Sequence, residues 1–263
     1  MESNREYHAD NSHVGSSMLK VYRRSPARYK GLYIDGTIEP EETSPEMILG
    51  SVTHCLASGE PIEHEFLLAR GCEDRRSKLW KSFEEEAKLK GLTAIPEGVL
   101  RDAKAMADAL MADPIAKQYW ESEGPTEEPI RWTRDGVKLK CKPDKLVINP
   151  IYDCTICVSL KTSAKADLPA FLWAIRDYDY DLSEAMYIDG IASIKSYMDS
   201  SPQCLMVVIS KEPPHDVFVY HLENNKSVMP QGRIKFEDTV RALSHSLATN
   251  DWRSAGQKMI RSI

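Results

Sequence analysis

The sequence lacks long apolar stretches and an excess of positive charge. Among its 263 residues, 34 Lys and Arg stand against 40 Asp and Glu, which gives a net charge of −6. The longest apolar run, "CLMVVI" at 204–209, has the length of a strand, well short of the roughly 18 residues of a membrane span. The first residues, "MESNREYHAD", have no apolar segment typical of a signal peptide. We therefore expect no secretion signal, no membrane span and no generally basic nucleic-acid coat, whereas a local basic groove remains compatible with this charge.

The sequence also lacks the paired cysteines of a structural zinc site. Of its six cysteines, only Cys154 and Cys157 form a close Cys-x-x-Cys pair, and no second pair matches it. Zinc usually takes four ligands from two such pairs. Without a secretion signal, disulfide bonds are not expected either. We interpret the cysteines as small buried residues.

The chain changes character near residue 125. Residues 1–125 have mainly helical patterns, with helices expected at 15–25, after Ser44-Pro45, at 73–90 and 97–111, and in a short segment to Trp120. Residues 60–95 give no clear indication of order. The helix at 15–25 is expected to end at Ser25-Pro26.

Residues 126–225 have the patterns of a sheet with helices. Asp135-Gly136 predicts a hairpin turn between two extended runs. "CTICVSLKT", "CLMVVIS" and "VFVYHL" follow as strands, with helices expected at about 167–177 and 182–199, and 226–263 as a final helix and tail. This order predicts one α/β domain, with a central mixed β-sheet flanked by helices and a helical N-terminal elaboration.

Two polar residues stand at strand ends. In "CVSLKTSA" at 157–164, alternation places Cys157, Ser159 and Lys161 on one face of a strand. In "KLKCKPDK" at 138–145, the three lysines at 138, 140 and 142 share a face with Asp144 if the strand is regular. If the two strands are neighbours, Asp144 and Lys161 meet at a common end.

An acid and a lysine at one sheet end indicate metal-dependent phosphodiester hydrolysis. Mg²⁺ is held by one or two carboxylates together with waters and substrate oxygens. A lysine beside the ion can orient the attacking water and stabilise developing charge. Such a site normally has a second carboxylate two residues before the lysine, where this chain has Ser159. The spacing alone also occurs by chance.

Further motifs, taken in order, resemble one nuclease superfamily. They are "VGSSMLKVYRRSPARY" at 14–29, "LGSVTHCL" with Gly50 and His54, "TEEPIRW" with Glu127, then "CKPDKL", "VSLKTSAKADLPAF" and "YDYDLSEAMYIDG". Over nearly its whole length the chain resembles the PD-(D/E)XK nuclease superfamily. Within it, the chain is similar to the RecE (exonuclease VIII) type of exodeoxyribonuclease, which prophages carry.

The resemblance implies roles for five residues. Asp144 and Glu127 would help to hold Mg²⁺ or Mn²⁺, and His54 would lie near the ion as a ligand or beside a ligand. The carbonyl of Leu160 would add a metal contact. Lys161 would position the attacking water.

The resemblance also implies a substrate and partners. An enzyme of this type degrades the 5′-ended strand of linear double-stranded DNA in the bacterial cytoplasm. It leaves a 3′ overhang for a single-strand annealing protein and forms a ring around DNA. The basic segments 20–30 and 138–145 are candidates for phosphate contacts, through Arg23, Arg24, Arg28, Lys140 and Lys142.

Two departures from the family pattern leave the activity open. Ser159 replaces an expected Asp or Glu, and Ser183, four residues before Tyr187, replaces an expected Gln. The carboxylate has either moved to Glu184, which shares a helix face with Tyr180 and Tyr187, or is dispensable in a weaker site. Alternatively, the protein is catalytically inactive and binds DNA or a protein partner without cutting.

Overall fold

The computed structural model describes residues 4–149, 154–164, 166–194 and 202–254. The N-terminal part contains helices and a two-stranded parallel sheet made of β1 and β2. Its elements are α1 (Asn4–Ala9), α2 (Ser16–Arg24), α3 (Pro26–Tyr33), α4 (Pro45–Ala57), β1 (Phe66–Ala69), α5 (Lys78–Lys90), β2 (Thr93–Pro96), α6 (Glu97–Ala112) and α7 (Pro114–Trp120).

The remaining elements form a hairpin, a four-stranded sheet and its covering helices. They are β3 (Ile130–Arg134), β4 (Val137–Cys141), β5 (Lys145–Asn149), β6 (Cys154–Ser163), α8 (Leu168–Asp177), α9 (Tyr180–Ala192), β7 (Gln203–Ser210), β8 (Val217–His221) and α10 (Val228–Thr249). None of the described helices combines the length and apolar character that crossing a bilayer requires.

The four-stranded sheet has the order β5-β6-β7-β8, with β6 and β7 parallel and both outer pairs antiparallel. Its two central strands are covered on both faces. Cys157 of β6 packs in the cluster formed with α9 and α10, whereas Val158 and Leu160 pack against α6 and α7. The predicted α/β fold with a mixed central sheet is therefore confirmed, and alternation along β6 places Ser159 and Lys161 on the α9 side.

The hairpin turn at Asp135-Gly136 is also confirmed. Both residues have positive φ, 50° and 77°, as a two-residue hairpin turn requires, and β3 and β4 pair directly across it. The expected continuous face from Lys138 to Asp144 is wrong. The chain leaves the hairpin after Cys141, bends through 142–144, and enters the other sheet as β5.

Several elements differ from the expected pattern. Ser25 and Pro26 end α2 but also begin α3, because the Ser25 hydroxyl accepts a hydrogen bond from the backbone N–H of Arg28 at 3.2 Å. The region 60–95 contains β1, α5 and β2, of which only the helix was expected. The helix expected at 182–199 begins at Tyr180 and ends at Ala192, and 195–201 lie outside the described residues.

Helix α9 is held closely against α10. A Cβ atom at Gly232 of α10 would overlap the carbonyl oxygen of Asp181 in α9. The ammonium group of Lys235 pairs with Asp179 at 3.0 Å and with Asp181 at 2.9 Å. The close contact at Gly232 and the ion pairs of Lys235 thus hold α9 in place, and α9 contributes a residue to the site described below.

Gly232→Ala should destabilise the protein although alanine favours helices. The gain of up to about 1 kcal/mol in helix propensity is outweighed by the overlap with backbone, which leaves a net loss of about 1–3 kcal/mol. The control is Gly98→Ala in α6, where a Cβ would meet only the flexible ends of Glu73 and Arg101. Urea denaturation of the two variants measures the difference, and equal stabilities would contradict this account of the α9–α10 contact.

Candidate metal centre and active site

Asp144 lies where the chain enters β5 and faces β6. The antiparallel register that pairs Lys145 with Val158 brings this point next to the end of the buried part of β6. One carboxylate oxygen of Asp144 accepts a hydrogen bond from the backbone N–H of Leu160 at 2.6 Å. The same oxygen lies 4.0 Å from the ammonium nitrogen of Lys161. The structure thus brings together the acid and the lysine at one end of two neighbouring strands.

Glu127 reaches the same place from an edge segment. Residues 124–127 run beside the start of β5, and Thr126 forms an isolated antiparallel β-bridge with Lys145. The backbone N–H of Glu127 donates a hydrogen bond to the carbonyl of Asp144 at 3.3 Å. Glu127 has a φ of 54°, a left-handed conformation that costs energy for a residue other than glycine. Its carboxylate pairs with the Lys142 ammonium at 2.5 Å.

His54 comes from α4 and depends on a glycine. A Cβ at Gly50 would lie only 3.1 Å from the hydroxyl of Thr162, so glycine lets α4 lie close to β6. One helical turn later, Nδ1 of His54 lies 3.6 Å from the second carboxylate oxygen of Asp144.

The three side chains offer a set of metal ligands. One ligand atom each from His54, Glu127 and Asp144 lie within 4.8 Å of one another. Two carboxylates suit a hard cation such as Mg²⁺, and an added imidazole also suits a transition metal such as Mn²⁺. The residues present therefore fit a divalent ion. The carbonyl of Leu160, expected as a further metal contact, accepts a hydrogen bond from the Lys161 ammonium at 3.1 Å.

The electrostatics of the centre also favour a cation. Burial and the negative charge of Asp144 raise the pKa of Glu127, against the opposing effect of Lys142. Burial would also raise the pKa of Asp144, but His54, Lys161 and the Leu160 N–H outweigh it and lower this pKa to about 2. A divalent ion between the two carboxylates would relieve their repulsion.

Lys161 is a partly buried cation rather than a base. Burial would lower the pKa of Lys161, but the negative charges of Asp144 and Glu184 outweigh it and raise this pKa above its ordinary value. Glu184 contributes through an oxygen 3.9 Å from the ammonium nitrogen. Lys161 is therefore charged at neutral pH and can stabilise negative charge.

Ser159 and Glu184 are hydrogen-bonded partners. The Ser159 hydroxyl donates to one oxygen of the fully buried Glu184 at 2.8 Å, and the Cys204 thiol donates to the same oxygen at 3.1 Å. The other Glu184 oxygen has no hydrogen-bond partner among the described residues. Glu184 does not belong to the described group of three candidate ligands, so its contact is with Lys161 rather than with the metal ligands.

Ser183, the second departure, has a local structural role. Its backbone N–H and its hydroxyl both donate to the carbonyl of Asp179, at 3.2 and 3.4 Å, inside the first turn of α9. Tyr187 lies one turn further along, where burial and the charges of Asp144 and Glu184 raise the pKa of its hydroxyl.

The two lysines expected to contact DNA point inward. Lys140 is only 3% exposed, and its ammonium group donates to the backbone carbonyls of Tyr7 and Asp10. A phosphate contact by Lys140 is incompatible with this arrangement, so that expectation is wrong for the structure described. Lys142 is engaged by Glu127 and by the Asn4 side chain at 2.7 Å.

The three arginines expected to contact DNA also have protein partners. Arg23 pairs with Asp179 at 3.2 Å, Arg24 donates to the carbonyl of residue 177 at 2.9 Å, and Arg28 pairs with Glu41 at 2.6 Å. Lys20, in the same basic segment, was not singled out by the sequence; its ammonium nitrogen lies 5.3 Å from the centre of the Tyr180 ring. No local pattern indicated this contact, because Tyr180 is distant from Lys20 in the chain.

Comparisons with known proteins agree with the fold. A family model described as a PDDEXK-like domain of unknown function (DUF3799) matches residues 15–258. The crystal structure of a protein from Eubacterium rectale, provisionally described as an exonuclease, is similar with a TM-score of 0.64. The match covers 100% of this chain and 94% of that chain at 12% sequence identity, which supports a shared fold. The comparison with curated proteins gives no match.

Glu127→Gln should weaken the binding of Mn²⁺ by at least about tenfold, because it removes one negative ligand. Its neighbour Glu128 is exposed and outside the group of ligands, so Glu128→Gln is the matched control and should bind Mn²⁺ as the wild type does. Isothermal titration calorimetry measures both affinities. Equal losses in the two variants would contradict the assignment of Glu127.

Proposed function

We propose that this chain, which belongs to the DUF3799 family of PDDEXK-like domains, is a nuclease that hydrolyses DNA phosphodiester bonds with a divalent metal ion. The observation that carries the proposal is the convergence of His54, Glu127 and Asp144 within 4.8 Å, beside the charged Lys161. This combination suits a nuclease, because nearby positive charge stabilises both the attacking water and the negatively charged phosphate.

In the proposed mechanism, Asp144, Glu127 and His54 would hold Mg²⁺ or Mn²⁺. When bound, such an ion lowers the pKa of a water and polarises a phosphate oxygen. The N–H of Leu160 fixes the Asp144 carboxylate in place. Lys161 orients the attacking water and stabilises the charge that develops on the phosphate.

Glu184 supports the active form of the proposal. It supplies a buried negative charge beside Lys161, and Ser159, at the position of the expected carboxylate, holds it through a hydrogen bond. The family carboxylate would thus have moved from β6 to α9. In its new place it acts through the lysine, as a positioning group.

The finer assignments rest on the resemblance to RecE-type exonucleases. We propose action on the ends of linear double-stranded DNA in the bacterial cytoplasm, in the 5′→3′ direction. The products would be 3′ overhangs for recombination, passed to a single-strand annealing protein. A ring-shaped homo-oligomer around the DNA would keep the enzyme on its substrate.

Ser159 favours a second candidate, a nuclease fold that binds DNA or a protein partner without cutting. A serine hydroxyl is a neutral and weak ligand where relatives of this type carry a carboxylate. The three remaining ligands would then hold an ion that is structural.

Purified protein with linear duplex DNA should release nucleotides in Mg²⁺ or Mn²⁺, and chelation with EDTA should stop the release. Asp144→Asn should reduce the rate by at least about a hundredfold, because it removes a ligand and a partner of Lys161 at once. Duplexes labelled at the 5′ or the 3′ end test the direction. No release at any concentration of either metal would reject the catalytic proposal and leave the binding candidate.

Exchange of the two side chains distinguishes the candidates. If Glu184 has taken over the charge, Glu184→Gln should lower the rate at least about tenfold. Ser159→Asp alone should also lower the rate, because it places a second carboxylate next to Glu184. The double variant Ser159→Asp with Glu184→Ser should recover activity. If the chain is inactive instead, Ser159→Asp alone should create activity where the wild type has none.

A further inference from the structure

Helix α2 presents two cations to the start of α9. Lys20 and Arg23 are three residues apart and share a face of the helix. Arg23 pairs with Asp179, while Lys20 lies over the ring of Tyr180. No described carboxylate forms an ion pair with Lys20. Arg23 therefore holds the turn through an ion pair, whereas Lys20 contacts an aromatic ring and no described carboxylate.

The turn that carries Tyr178 and Tyr180 is held in a strained conformation. Asp179 between them has a φ of 47°, and its carboxylate is fixed by Arg23 at 3.2 Å and by Lys235 at 3.0 Å. The two tyrosine rings lie 5.6 Å apart at an angle of 34°. Tyr178 is 58% exposed, so much of its side chain is accessible to a ligand.

Tyr180 connects this turn with the active site. The ammonium nitrogen of Lys161 lies 5.8 Å from the centre of the Tyr180 ring, and that of Lys20 lies 5.3 Å from it. The Tyr180 ring is therefore close to Lys161 of the candidate active site and to the exposed ring of Tyr178.

The charge around Lys20 favours an anionic ligand. Burial and then repulsion by Lys161 lower the pKa of Lys20 to about 8, against the attraction of Glu184 and Asp179. Those two carboxylates are already engaged by other cations. A phosphate bound at Lys20 would offset the repulsion between the two lysines.

We propose that Lys20, Tyr180 and Tyr178 form a binding site for the nucleotide next to the bond that is cut, and that this nucleotide is unpaired. Lys20 contacts its phosphate, and its base stacks on the exposed ring of Tyr178. In this site the Tyr178 ring occupies the position of the adjacent base in a stacked strand. The bound base must therefore be unpaired and separated from that adjacent base. The proposal rests on the nuclease function proposed above, since it defines the site by its distance from Lys161.

The test measures binding without hydrolysis. The wild type and its variants are titrated into fluorescein-labelled oligothymidylate of about 12 nucleotides, a length within the usual range of single-strand sites. The buffer contains EDTA, and anisotropy is recorded over a range of salt concentrations. A blunt duplex of the same length is the comparison ligand.

Tyr178→Ala should weaken single-strand binding roughly tenfold, the usual effect of losing one stacked base, and should leave blunt-duplex binding nearly unchanged. Tyr178→Phe keeps the stacking face and should bind as the wild type does. Lys20→Ala should weaken binding and reduce the salt dependence of log K by about 0.7, the value for one single-strand phosphate contact. Lys20→Arg should retain that dependence.

Lys104→Ala, which removes an exposed cation of α6, is the charge control and should leave both ligands unaffected. The proposal is overturned if both Tyr178→Ala and Lys20→Ala bind the single strand with wild-type affinity. It is also overturned if these variants lose the same factor of affinity for the single strand and for the duplex. Because EDTA removes the metal, these results do not depend on hydrolysis. A wild type that binds single strands through these residues but never cuts would refute the nuclease function and leave the nucleotide site.

Discussion

The candidate site depends on one partly buried ammonium group placed between two carboxylates. Asp144 and Glu184 each lie within 4.0 Å of the Lys161 ammonium nitrogen and favour its charged form. Burying a charge costs several kcal/mol unless partners compensate. The β5–β6 register supplies the first partner, and α9 supplies the second. The close packing of α10 on α9, which Gly232 allows, therefore helps to position the second of these partners.

Glu184 places a carboxylate beside Lys161 from a different element than the one on which the family pattern leads us to expect it. A carboxylate two residues before the lysine would come from the same strand. Glu184 instead comes from the helix that covers that strand, and the Ser159 hydroxyl fixes its orientation. This arrangement gives Lys161 a partner, while the candidate metal ligands are His54, Glu127 and Asp144. A search by sequence motif sees a lost residue, although the buried charge is still present.

The parts of the structure that follow from local signals could be predicted from the sequence. Alternation along β6 and the Asp135-Gly136 turn are local properties, and so is the Ser44-Pro45 helix start. The approach of Asp144 to Lys161 was expected on the condition that their strands are neighbours, and the pairing of β5 with β6 meets that condition.

The remaining features depend on contacts between distant segments, which no local pattern encodes. The basic appearance of 138–145 indicated a surface for DNA, but Lys140 is buried by carbonyls from α1 and the following loop. The Ser25-Pro26 pair indicates that α2 ends there, but it does not indicate whether another helix, here α3, begins at the same point. Lys20 stood within a basic segment whose arginines were the more obvious choice, and only the position of Tyr180 distinguishes it.

The ion pair between Lys142 and Glu127 has a consequence for how the centre is loaded. The ammonium of Lys142 is the counter-ion of the Glu127 carboxylate. A divalent ion held by Glu127 and Asp144 would compete with this ammonium group for the same carboxylate. Uptake of such an ion would then be an exchange of one cation for another at Glu127.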